Sequence, residues 1–258
     1  MTPEHKTALM NKLLRNRVTI PWTPFYRRHP YSDGISINSA DARGLVDFDL
    51  GVFCNRIPKA ANSSVIVNLA YRKYGREIPS KEAKKLFRTP AQLKRAEVER
   101  LPELFRFAFV RNPYTRVLSA FLDKVDRRER RKNREASFLE FLEYLEKDGL
   151  FSNAHWAPQT SLLLTPFEEF DFFGKTENLN EDMGFVLDQV QGHKENKKML
   201  SALGNATGAS GKLATYYDDQ AKIKVDKLYR EDFERFGYPM TLPTKSSAST
   251  TATQGQQE

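Results

Sequence analysis

Two short runs carry side chains suited to holding an anion: RIPKAANSS, Arg56 to Ser64, and FVRNPYTRVLSAF, Phe109 to Phe121. In the first, Lys59 supplies a point charge, and Asn62, Ser63 and Ser64 supply short side-chain donors. Where such a run joins a strand to a helix, the helix N-terminus adds unpaired N–H groups and partial positive charge, both suited to phosphate or sulfate. The G-x-x-x-x-G-K-[ST] spacing of a nucleoside-triphosphate loop is missing, which argues against an ordinary ATPase or GTPase. In the second run, Arg111 can fork onto a phosphate, and Ser119, eight residues on, can add a hydroxyl hydrogen bond. Each run alone has a plain alternative: a junction with serine capping, or a surface arginine followed by a packing serine.

The elements that must position these residues read as strand–helix pairs. GVFCNRI (Gly51 to Ile57) predicts a strand, and ANSSVIVNLAYRKYG (Ala61 to Gly75) predicts the helix after it, capped by Asn62 or Ser63 and ended by Gly75. LFRFAFV (Leu104 to Val110) predicts a core strand, followed by a helix from Pro113 to Val125 that opens on proline. FDFFG (Phe170 to Gly174) predicts a third strand, with a helix over residues 178–190. Further helices are predicted over Pro3 to Arg15, Ser80 to Arg100, Ala136 to Lys147 and Tyr216 to Phe236, and a mobile loop over Gln191 to Leu213. Repeated strand-then-helix order implies an α/β fold: a mainly parallel sheet flanked by helices, with a P-loop-like strand–loop–helix at Arg56 to Ser64. The domain is expected over residues 46–240, after an irregular N-terminal segment (1–45) and before a low-complexity, disordered tail (241–258).

Composition narrows the partners. Hydrophobic residues make up 40% of the 258, which excludes wholesale disorder, and the net charge of +8 favours an anionic partner. Much of the basic excess sits in DKVDRRERRKNRE, Asp123 to Glu135, whose mixed signs equally suit a solvated helical face. Cys54 is the only cysteine, so no intrachain disulfide or cysteine-based metal cluster can form, and a reducing compartment is expected. No run is long and apolar enough for a signal peptide or membrane span, so a soluble, cytoplasmic protein is expected. No metal site is expected, because the four histidines and the carboxylates lack ligand spacing.

Taken together, the two runs resemble the phosphosulfate loop and the 3′-phosphate element of the sulfotransferases that use 3′-phosphoadenosine 5′-phosphosulfate (PAPS). HWAPQ (His155 to Gln159), DFFGKTENLNEDM (Asp171 to Met183) and YREDFERFGY (Tyr229 to Tyr238) resemble the carbohydrate branch, sulfotransferase family 2. The resemblance runs in order from about Phe53 to Tyr238. It implies that Lys59 neutralises charge on the leaving phosphate, and that Ala61, Asn62, Ser63 and Ser64 bind the phosphosulfate. It further implies that Arg111 and Ser119 hold the 3′-phosphate, with 3′,5′-adenosine bisphosphate as product. Eukaryotic members of that branch carry a membrane anchor and lumenal cysteines; this chain shows neither and better resembles a bacterial-type soluble enzyme.

Sulfuryl transfer needs a base for the acceptor hydroxyl. His155 is the only histidine in a matching motif, and its expected titration near pH 6 to 7 is that of an ordinary histidine. Glu177 in GKTEN is the alternative base. Trp156, Phe151 and Tyr114 could form a sugar-stacking wall, although aromatic core packing is commoner. The acceptor implied is a hydroxyl compound, an acidic or neutral saccharide, with a lipid, a small metabolite or a tyrosine side chain as the alternatives. Two other readings stand beside it: a non-catalytic glycan- or nucleotide-binding relative, and a basic nucleic-acid-binding protein. No nucleic-acid-binding motif accompanies the basic run, so no nucleic-acid partner is expected.

Overall fold

The computed structural model describes residue 14 and residues 18–32, 34–193, 199–200 and 208–243. Its four strands are β1 (Gly44–Asp47), β2 (Val52–Asn55), β3 (Phe105–Val110) and β4 (Phe172–Lys175), in the spatial order β1-β2-β3-β4. β2 pairs parallel with β3, setting Val52 opposite Phe105, and β3 pairs parallel with β4, setting Phe107 opposite Phe172. β1 pairs antiparallel with β2 at the edge. The expected α/β fold, a mostly parallel sheet flanked by helices, is the fold observed.

Strand periodicity divides the core. Phe53, Ala108 and Val110 join one cluster with Phe25, Ile57 and Leu162, whereas Val52, Cys54, Phe107 and Phe109 join another with Ile66, Leu69 and Met183. Helices Asn62–Tyr74 and Leu179–Gln189 cover the second face. A third, mainly helical cluster surrounds helix Pro113–Phe121, every residue of which is buried. Each parallel strand leads into a helix, so three strand–helix junctions meet at the carboxyl edge of the sheet, where ligands of such sheets bind. Those junctions carry Arg56 to Ser64, Arg111 to Asn112, and Thr176 to Glu177.

Several elements differ from the sequence expectation. Residues read as irregular form helices Pro24–Arg28 and Ile37–Asp41, the latter capped by Ser36, and Gly44–Asp47 forms β1. The Ser80–Arg100 stretch is two short helices, Ser80–Ala83 and Arg95–Glu99, because the buried Pro90 interrupts it with a 3-10 turn. Helix Pro113–Phe121 continues through a wider π-type turn at Leu122–Asp126. The last long helix breaks into Asp219–Leu228 and Arg230–Arg235 at Tyr229, whose hydroxyl donates to the Trp156 carbonyl at 2.6 Å. Residues 208–213 of the expected mobile loop form a turn running into helix Leu213–Tyr216. The rest of that loop, apart from residues 191–193 and 199–200, lies outside the described residues, as do the tail from Thr244 and nearly all of the helix expected over Pro3 to Arg15.

Candidate active site

The loop after β2 takes a conformation that side chains disfavour: Lys59 has φ 68° and Ala61 φ 50°. Left-handed non-glycine residues persist where surrounding contacts over-determine them. Here Arg116 supplies those contacts. It is 1% exposed, and its guanidinium donates to the carbonyls of Pro58 (3.1 Å), Ala157 (2.8 Å) and Ala154 (3.2 Å). Arg111 adds a bond to the Lys59 carbonyl at 3.3 Å. The expected helix cap is corrected by this geometry. Ala61, not Asn62 or Ser63, is the N-cap and offers no side-chain acceptor, while the Asn62 carboxamide oxygen accepts from Arg56 at 3.4 Å. The first helical bond runs from Val65 N–H to the Ala61 carbonyl, so the N–H groups of Asn62, Ser63 and Ser64 have no acceptor within the helix.

Arg111 follows β3 directly, with its Nε on Thr115 Oγ1 at 2.9 Å, and burial lowers its pKa against the opposing charge of Glu177. Gln159, fully buried, brackets the Arg111 backbone, accepting from its N–H at 2.9 Å and donating to its carbonyl at 2.8 Å. Asp232, also fully buried, accepts from the N–H groups of Gln159 and Thr160 at 2.8 and 2.9 Å. Residues 154–160 are thus tied directly to the second anion-suited run and, through Arg116, to the first.

His155 accompanies that segment. Asn153 Oδ1 accepts the His155 backbone N–H at 3.1 Å and lies 2.7 Å from Nδ1. The backbone contact identifies this carboxamide atom as the oxygen, so Nδ1 carries the proton and Nε2 keeps its lone pair. Burial, then the charges of Lys124, Arg43, Lys59 and Arg116, push the imidazole down to about 3. The expectation of an ordinary titration is thereby corrected: besides burial, four cations from three separate stretches of chain act on the ring. Glu177 is occupied differently, accepting from Asn112 N–H and the Tyr238 hydroxyl, each at 2.9 Å.

One cleft of about 700 Å³ is lined by Lys59, Ala61, Asn62, Ser63, Ser64, Arg111, Ser119, His155 and Glu177. The residues singled out in the sequence for holding the phosphosulfate and 3′-phosphate, and both candidate bases, therefore face a common space. The sugar-stacking wall is not formed there. Tyr114 is fully buried against Tyr217 and Phe233, Trp156 packs on Phe141, and neither they nor Phe151 lines the cleft. Sequence reasoning missed Lys84, Lys124, Asp123 and the turn Gly208 to Gly211 as parts of the lining. Asp123 and Lys124 sit in the basic run, whose other charges pair mainly with each other, as in Arg130 with Asp126 and Arg134 with Glu129. No group of acidic, histidine or cysteine side chains that could hold a metal occurs among the described residues.

No curated protein and no solved structure matches the chain. A family model, that of the sulfotransferase family, matches residues 44–239, from the first strand to the residue after Tyr238. That span covers the sheet, both anion-suited runs and the whole described lining of the cleft, and the chain belongs to the sulfotransferase family.

Proposed function

We propose that this protein transfers a sulfuryl group from PAPS to a hydroxyl of a saccharide. The observation that carries the reading is the convergence of Lys59, the left-handed loop, Arg111, Ser119 and His155 on one cleft. The loop N–H groups with Ser63 and Ser64 hold the phosphosulfate, and Arg111 with Ser119 holds the 3′-phosphate. His155 Nε2 takes the acceptor proton as the acceptor oxygen bonds to sulfur and the bond from sulfur to the phosphate oxygen breaks. Lys59 stabilises the charge growing on that departing oxygen, a contribution made mainly in the transition state. The bisphosphate leaves, and His155 returns its proton to water.

The Asn153 contact favours His155 over Glu177 as base, since it presents Nε2 as an acceptor while both Glu177 oxygens are engaged. Lys84 and Lys124 line the cleft, and Lys124 and Arg43 stand close enough to act on the His155 ring. This charge supports an acidic saccharide ahead of a neutral one. The single cysteine, Cys54, supports a reducing, cytoplasmic setting, and in the fold it is a buried packing residue whose thiol is pushed up to about 12 by burial. No helix among the described residues is long and apolar enough to cross a membrane.

The test is transfer of radiolabelled sulfate from PAPS to a panel of acidic and neutral saccharides, with thermal shifts in 3′,5′-adenosine bisphosphate and in 5′-AMP. A ligand bound only by the folded state stabilises it by about 2.7 kcal/mol at a hundredfold excess over Kd. The bisphosphate is expected to stabilise far more than AMP, and label is expected on acidic saccharides. Equal responses to both nucleotides with no labelled product would refute the reading.

A further inference from the structure

An acidic side chain lines a cleft built for anions. Asp123 stands on the π-type turn Leu122–Asp126, four residues beyond Ser119. Its Oδ2 lies 3.1 Å from Lys59 Nζ and 3.2 Å from Lys124 Nζ, and its Oδ1 lies 3.4 Å from Arg127. The side chains of Lys59 and Asp123 are each only 12% exposed, so solvent screens this pair less than a surface ion pair. We propose that Asp123 is a positioning and selectivity residue for Lys59. Its carboxylate holds the ammonium against the cleft wall and yields it only to an anion that other cleft groups bind as well. This rests on the reading of the cleft as a PAPS site.

The geometry suits an exchange of partners. A carboxylate left bare here would repel a phosphosulfate, but Lys124 and Arg127 remain on Asp123 when Lys59 turns away. PAPS offsets the broken pair with contacts to the loop, Arg111 and Ser119. Inorganic sulfate reaches only the Lys59 end and lacks the 3′-phosphate contacts, so the pair discriminates against it. The same contact governs the charge of Lys59. Burial lowers the ammonium's pKa, Asp123 opposes that, and Lys124 and Arg111 add to the lowering. His155 faces the same ammonium. Without Asp123, Lys59 loses its proton at lower pH.

The test titrates the full-length protein calorimetrically with sodium sulfate and, separately, with 3′,5′-adenosine bisphosphate, using wild type, D123N, K59M and K59M/D123N. D123N is expected to tighten sulfate about tenfold and the bisphosphate about threefold, and most of both gains should vanish in the K59M background. Turnover in D123N should fall, with its alkaline limb at lower pH, and D123E should recover the wild-type limb. Should D123N fold poorly, R127A provides the second arm. Removing that cation tightens the grip of Asp123 on Lys59, so bisphosphate binding should weaken about threefold. An unchanged sulfate affinity in folded D123N, an equal gain without Lys59, or unchanged bisphosphate affinity in R127A overturns the proposal. Failure of the wild type to bind the bisphosphate would refute the PAPS reading instead, while the sulfate arm still measures the exchange at Lys59.

Discussion

His155 should remain a neutral base far into acid, and His155→Gln should expose this twice, in catalysis and in stability. Burial and the surrounding cations bring its imidazole down to about 3. At pH 5 an ordinary histidine is roughly 3% neutral, whereas one titrating near 3 is roughly 99% neutral. The acid limb of kcat/KM for PAPS, which reports the free enzyme, should therefore lie below pH 5. The limb of kcat should lie higher, because bound phosphosulfate offsets the cations that depress the ring. The sign for stability follows from the same shift. The folded pKa is below the unfolded one, so the unfolded chain takes the proton more readily. This group's contribution is complete above about pH 6.5 and is lost as pH falls toward about 3. Protonation in the folded cleft costs on the order of 5 kcal/mol more than in the unfolded chain. Melting curves from pH 7 to 4 should show wild type losing more stability than His155→Gln, whose turnover per folded molecule should fall by roughly 10²–10⁴-fold. A kcat/KM limb at pH 6 to 7, or parallel melting curves for the two proteins, would refute this account of the ring's surroundings.

Lys59→Ala should lower kcat by about two orders of magnitude or more at saturating PAPS, whereas Arg111→Ala should chiefly weaken bisphosphate binding; single-turnover kinetics and calorimetry separate the two. Arg116→Met should lose about 3 kcal/mol in urea unfolding, because the carbonyls of Pro58, Ala154 and Ala157 lose their donors inside the protein. Arg116→Lys should recover less than half of that, since an ammonium cannot span all three.

Most of what was legible in the sequence was contiguous. Arg56 to Ser64 and Arg111 to Ser119 each follow a short, largely apolar strand, and parallel pairing brings such junctions to one edge. Gly75 ends its helix at φ 66°, as its residue type predicts. The antiparallel edge was not legible in the same way. GLVD is four residues long, and the chain must reverse within Phe48 to Gly51, where Leu50 N–H bonds Asp47 at 2.9 Å and Gly51 takes φ 69°. That turn is held by contacts distant in sequence as well, with Lys73 on Asp47 and Asp49 and the Gln191 N–H on the Leu50 carbonyl, and the residues around it carry no strong periodicity.

The remaining parts of the site were illegible because they are properties of distance in space. Arg116 reads in PYTRVLSAF as one charge on an apolar helix, and only the fold brings it to carbonyls on two other segments. Its burial then explains why the strained loop holds: the carbonyl of Pro58 is fixed immediately before left-handed Lys59. Tyr229 and Asp232 are similar, helix residues in sequence and anchors for residues 156–160 in space. The same reasoning bears on the base. HWAPQ identifies a histidine, but its basicity is set by Lys124, Arg43, Lys59 and Arg116, drawn from three other stretches of chain. A motif can therefore name the group that takes the proton, while the pH at which it does so belongs to the folded cleft.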